Sequence, residues 1–135
     1  MRIMLDEGAI MPTRAYETDA GLDLYATKSG WILPKCKKVF GTGVHAAIPY
    51  GFVGLLTSKS GLMLKGIKSD GTIDSDYRGE IQAILYNHGW FPKRIIKGQK
   101  VTQMVIMPII RPKLEVVEEM DETERGNCGF GSSGR

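Results

Sequence analysis

The chain has 135 residues, 42% of them apolar and 24% charged, and a formal net charge of +3. That suffices for one domain with a buried core, and the balance is ordinary for a globular protein. The cationic excess is too weak to argue for nucleic acid, and the longest apolar runs, such as VIMPII at 105–110, are too short to cross a bilayer.

The opening residues MRIMLDEGAI carry acids where a signal peptide needs an apolar stretch, so a cytoplasmic location is expected. Short runs rich in β-branched and aromatic residues follow in order: LDLYA at 22–26, KKVFGTGVHAAI at 37–48, FVGLLT at 52–57, EIQAILY at 80–86, VTQMVIM at 101–107 and KLEVV at 113–117. Glycines and prolines punctuate them at short intervals. In EIQAILY, Ile81 and Ala83 alternate with polar neighbours and so share one face of a strand. Many short strands at this spacing predict an all-β sandwich or barrel. Only SGLMLKG at 60–66 suits a helical turn or two, and without long amphipathic helices a Rossmann or P-loop architecture is disfavoured.

The densest polar stretch is GTIDSDYRGE at 71–80, where Asp74 and Asp76 would project on the same side of a strand. The same residue types also build solvated hairpin tips. TSKSGL at 57–62 ends an apolar strand with hydroxyls, an ammonium and a glycine, all able to donate to an anion. Cys36 and Cys128 stand apart, outside any CxxC or Cys/His cluster, which disfavours a disulfide framework and a structural zinc site. His45 and His88 are isolated and read as structural, so a zinc hydrolase is disfavoured.

The chain closes on ERGNCGFGSSGR at 124–135. Its G-x-x-x-x-G at 126–131 lacks the P-loop lysine and the helix that would complete a phosphate site. What remains is a glycine loop with two hydroxyls, flanking arginines and one aromatic ring, suited to closing over a phosphorylated, flat-ringed ligand.

Five segments in order, AGLDLYA (20–26), SKSGL (58–62), GTIDSDYRGE (71–80), GQKVTQ (98–103) and RGNCGFGSSG (125–134), resemble the motifs of the trimeric dUTPase family. The third and fifth are the most specific. The resemblance implies a distorted jelly-roll subunit of the β-clip type over residues 1–124, with at most one short helix. It implies a glycine-rich arm over 125–135 and a homotrimer whose sites draw on all three chains. The implied reaction is hydrolysis of dUTP to dUMP and pyrophosphate with Mg²⁺, with neither nucleic acid nor membrane as a partner.

By the same resemblance, Asp74 is the residue that orients and activates the attacking water. Tyr77 packs against deoxyribose, and the Gly71, Thr72 and Ile73 backbone reads uracil. Lys59, Ser60, Gly61 and Gln103 hold the phosphates, and Asp23 reaches Mg²⁺ through water. In the arm, Arg125, Gly131, Ser132 and Ser133 meet phosphate while Phe130 stacks on the base. Lys59 stands where arginine is usual and Ser58 where proline is common, while Gln99 replaces an acid and the 62–70 stretch is short. Three rival readings are a dCTP deaminase on the same fold, a nucleotide-sensing module and a nucleic-acid-binding barrel. The first, which needs a glutamate and supporting groups for cytosine's amine, is opposed by TIDSDYRG at 72–79 and the complete Phe/Gly/Ser arm. The second is opposed by an intact Asp74 and Tyr77, and the third has few aromatics, not interleaved with basic residues.

Overall fold

The computed structural model describes residues 1–128. Nine strands and one short helix make up its regular structure: β1 (Arg2–Leu5), β2 (Gly21–Tyr25), β3 (Gly30–Ile32), β4 (Lys37–Ala47), β5 (Phe52–Thr57), α1 (Ser60–Met63), β6 (Ile67–Ile73), β7 (Ile81–Asn87), β8 (Lys93–Ile95) and β9 (Lys100–Pro108). Seven strands form one antiparallel sheet in the order β1-β4-β7-β6-β5-β9-β2, and β3 pairs with β8 beside it.

The seven-stranded sheet curls because β6 changes partner along its length. Ile67 to Ser69 pair with β7, and Asp70 to Ile73 pair with β5. Alternation fills the interior on both sides of this corner. Ile81, Ala83 and Leu85 of β7 point inward and are fully buried, while Gln82 and Ile84 face out. One apolar group gathers Ile32, Phe40, Leu62, Ile67, Leu85, Ile95 and Val101; the other gathers Leu24, Val44, Ile48, Leu56, Ile81 and Met104. Leu62 gives α1 its one buried residue, which is what ties so short a helix to the sheet.

A bulge interrupts β4 opposite β7 between Gly41 and Val44. Gly43 has φ +64, and a Cβ there would sit 2.6 Å from that of Ala9, so only glycine fits. The Glu80 carboxylate accepts the Gly43 N–H at 2.8 Å and so fastens the end of the 74–80 loop to this bulge.

The all-β expectation, the short helix and five of the six expected strands are met. KLEVV is the exception. Residues 109–128 form neither helix nor strand, and Leu114 and Val116 lie almost wholly in solvent, because no edge of this chain's sheet pairs with the segment. Strands β1, β3, β6 and β8 were not anticipated as such; β3 and β8 are three residues each, too short to show a period.

Candidate functional site

The structure collects the expected residues into two clusters. In the first, strand register sets Asp23 of β2, Gln103 of β9 and Thr57 of β5 side by side. Directly opposed residues share a face, so their side chains form a row across three strands. Gln103 crosses in front of Gly21, where a Cβ would meet its amide oxygen at 2.5 Å. Lys59 lies between β5 and α1, Ser60 opens α1, and the space beside the Gly61 Cα is open.

Asp23 organises this cluster. Its side chain is only 3% exposed, yet Lys59 donates to Oδ1 and the Lys100 ammonium lies 2.7 Å from Oδ2. Burial opposes ionisation of the carboxyl, but the hydrogen bonds and charges of Lys100 and Lys59 outweigh it and hold the group below its usual range. The same contact raises Lys100. Lys100 was not singled out in the sequence; its role needed the β2–β9 register to become visible.

Asp23→Asn is expected to lower stability by about 1–3 kcal/mol near neutral pH, since it leaves two ammoniums without their counter-charge. The two lysines are partly exposed, which keeps this below the cost of a fully buried orphan charge. Because the folded carboxyl titrates below its unfolded value of 3.8, the contribution is complete above that pH and disappears as pH falls through the folded pKa. Urea midpoints of parent and variant should therefore differ near pH 7 and converge in acid. A difference that stayed constant with pH would remove the carboxylate's charge as its source.

Hydroxyls brace the first cluster from within. Ser58 Oγ donates to the Ser69 carbonyl at 2.8 Å and accepts the Ser69 N–H at 2.7 Å. Ser69 Oγ donates to Thr102 Oγ1, which donates to the Thr57 carbonyl at 3.0 Å. Ser58, which stands where the family commonly has proline, thus replaces ring rigidity with a two-way clamp onto β6. It sets the direction in which Lys59 and Ser60 leave the sheet.

The second cluster lies at the other end of β6. Thr72, Ile73, Asp74 and Tyr77 line a groove of about 230 Å³ with Val39, Glu80, Gln82 and Ile84. Asp74 follows the last residue of β6, and its carbonyl accepts the Tyr77 N–H at 3.2 Å in a turn. The expected strand geometry for Asp74 and Asp76 is therefore replaced by a turn. Ser75 at the tip is buried and accepts from Arg111, which stops the strand from continuing. Tyr77 donates its hydroxyl to the Glu80 carbonyl at 3.1 Å, and its ring lies where any Gly79 side chain would be. Glu80, not singled out in the sequence, holds this loop in place.

His45 grips the far side of the same loop. Nδ1 lies 2.9 Å from the Arg78 carbonyl and Nε2 3.2 Å from Asp6. The Arg78 carbonyl favours the imidazolium most and burial opposes it next, and with the Asp6 and Glu80 carboxylates added the net effect raises the pKa. This fits the structural role expected for it.

The two clusters do not meet within one chain. Thr57 pairs with Asp70, so Asp74 is four residues further along, about 13 Å at the usual rise, and Lys59 extends the opposite way. Arg125 joins neither; it donates to the Cys128 carbonyl at 3.0 Å within its own segment. Phe130, Gly131, Ser132 and Ser133 lie outside the described residues. Among the described residues, no three His, Cys, Asp or Glu side chains group to hold a metal, and no helix is long and apolar enough to cross a membrane.

The family model that describes dUTPase matches residues 7–134. The deoxyuridine 5'-triphosphate nucleotidohydrolase of Corynebacterium glutamicum is 41% identical over 138 residues, spanning 98% of this chain and 93% of that protein. The enzyme of the same name from Clostridium acetobutylicum is 40% identical, spanning 96% and 92%. Among solved structures, Staphylococcus bacteriophage 80alpha dUTPase with dUPNHPP superposes at a TM-score of 0.92 with 34% identity, covering 99% of this chain and 98% of that one. The dUTPase of S. aureus phage phi11, in which a structural Mg(II) ion is coordinated, gives 0.80 with 32% identity over 87% and 96%. Sequence motifs, fold and comparisons converge, and the chain belongs to the dUTPase family.

Proposed function

We propose that the chain is a dUTP diphosphatase whose sites each combine the Asp74 groove of one copy with the Asp23–Lys59 cluster of another in a homotrimer. The observation that carries the sharing is the separation of the two clusters. A water oriented by Asp74 must come within about 3–3.5 Å of the phosphorus whose oxygens the phosphate donors hold. Clusters at opposite ends of β6 cannot satisfy that around one phosphorus unless a neighbour supplies the second.

In this reading, uracil lies against the Gly71, Thr72 and Ile73 backbone and deoxyribose packs on the Tyr77 ring, leaving no room for a 2′-hydroxyl. The water attacks the α-phosphorus in line and gives its proton to Asp74, while the bond to the bridging oxygen breaks and pyrophosphate leaves. Lys59, Ser60 and Gln103 hold the phosphate oxygens as charge moves onto the leaving group. Residues 125–135 act as a closing arm, with Arg125, Gly131, Ser132 and Ser133 toward phosphate and Phe130 over the base.

Mg²⁺ fits this site only through water. Each Asp23 oxygen already accepts from an ammonium, which disfavours direct coordination but leaves lone pairs for a hydrated ion that the phosphates also bind. When bound, the ion supplies neutralisation of triphosphate charge. The 80alpha enzyme's dUPNHPP supports a deoxyuridine nucleotide for this chain as well, whereas the Mg(II) of the phi11 mutant enzyme is a structural ion and supports only that a relative holds this metal.

Pyrophosphate release with Mg²⁺ across dUTP, dCTP, dTTP and UTP tests the activity, with turnover expected for dUTP alone. Ammonia from dCTP would make the chain a deaminase instead. Light scattering should report a trimer, and an active monomer would overturn the shared site.

A further inference from the structure

Both tryptophans of the chain lie on the small β3–β8 sheet and its flanking loop, remote in sequence but on neighbouring segments of the fold. Ile32 and Ile95 are its buried inner residues, so Trp31 and Arg94, directly opposed in register, face outward. The guanidinium lies 5.9 Å from the Trp31 ring centre. Leu33 continues this outer face, and Trp90 and Phe91 are 78% and 76% exposed. Exposed rings in such a group mark an interaction surface more often than a neutral one.

The surface is built rather than frayed. Asn87, fully buried, donates to the carbonyls of Ile32, Leu33 and Phe91 at 3.1, 3.3 and 2.9 Å and accepts the Gly89 N–H, pinning the 88–91 loop against β3. Lys35 takes a left-handed φ of 57, unusual for lysine. From there its ammonium donates to the His88 carbonyl at 2.5 Å and covers the Trp90 ring at 4.1 Å. The charge is one-sided too. No Asp or Glu occurs at 24–69 or 81–114, whereas Lys35, Lys37, Lys93 and Arg94 all belong to this region.

We propose that this face docks single-stranded nucleic acid, with bases stacking on Trp31, Trp90 and Phe91 and phosphates meeting Lys35 and Arg94. Two rings each paired with a cation, Trp31 with Arg94 and Trp90 with Lys35, offer both partners that a strand of bases and phosphates needs, and stacking needs no particular sequence. An acidic peptide would satisfy the cations and leave the rings bare. A membrane would have to bury the ammonium and guanidinium that lie over the rings. The face uses no residue assigned to dUTP, so it is a second site. The sequence expectation against nucleic acid rested on a weak net positive charge and on few aromatics not interleaved with basic residues along the chain; the fold pairs two of those rings with cations remote from them in sequence.

Because Trp31 and Trp90 are the whole tryptophan complement, intrinsic fluorescence of the full chain reads this face directly. Titration with a twelve-residue oligothymidylate at low salt should quench it, about tenfold more weakly when salt rises from roughly 50 to 200 mM. Phe91→Ala and Arg94→Gln should each weaken binding roughly fivefold or more while dUTP hydrolysis stays at the parent rate. Saturating dUTP analogue should leave the quenching unchanged. The proposal is overturned by an absence of quenching, by quenching the variants do not alter, or by displacement with the dUTP analogue. It is equally overturned if polyglutamate or anionic phosphatidylserine vesicles bind more tightly than the oligonucleotide.

Discussion

Asp74→Asn is expected to lower dUTP turnover by about 10²–10⁴-fold, the usual contribution of a positioned general base. Asparagine keeps the size of the side chain and loses only the ability to take the water's proton. The residue is exposed in a turn just past β6 and its side chain carries no part of the core, so folding should be unaffected. Nucleotide affinity should stay within a few-fold of the parent, because the proposed contacts to uracil, sugar and phosphate come from other residues. Single-turnover pyrophosphate release together with calorimetric binding of a non-hydrolysable dUTP analogue separates the two effects. Near-normal turnover would remove Asp74 from the base's role. Loss of binding in parallel with turnover would instead make it a binding residue.

Deleting residues 125–135 should reduce kcat/KM for dUTP by at least about 10²-fold, comparable to removing preorganised donors from a charge-developing centre. The core should survive, since the last strand ends at Pro108 and residues 109–124 add no helix or strand to it. Circular dichroism and the urea midpoint should match the full chain. If the shortened protein hydrolysed dUTP normally, the closing arm would be excluded. If it unfolded, those residues would belong to the domain and not to a lid.

These two tests probe opposite parts of the site, and their legibility in sequence differed. Asp74, Tyr77 and the tail could be singled out because their motifs are contiguous, and local chemistry is what a sequence displays. Lys100 and Glu80 escaped because each acts across the fold, one on Asp23 through the β2–β9 register and the other on Gly43 through the bulge in β4. KLEVV misled for the converse reason. Its alternation is real, but a strand exists only where an edge is offered, and this chain offers none there. The double aspartate misled as well, because the buried Ser75 closes the chain into a turn where the pattern allowed a strand.

The sequence by itself determined the all-β class and the family, and it displayed the residues proposed to meet a phosphorylated nucleoside. Periodicity and contiguous motifs are local properties, and they survive in one dimension. Tertiary structure alone decided that Asp23 is neutralised by two lysines and that Ser58 clamps β6. It also set the Asp74 group about four residues along β6 from the row that holds Lys59, and it paired Trp31 with Arg94 and Trp90 with Lys35 across the β3–β8 region. Each depends on register or on a change of strand partner. A shift of a single residue would turn those side chains to the other side of the sheet.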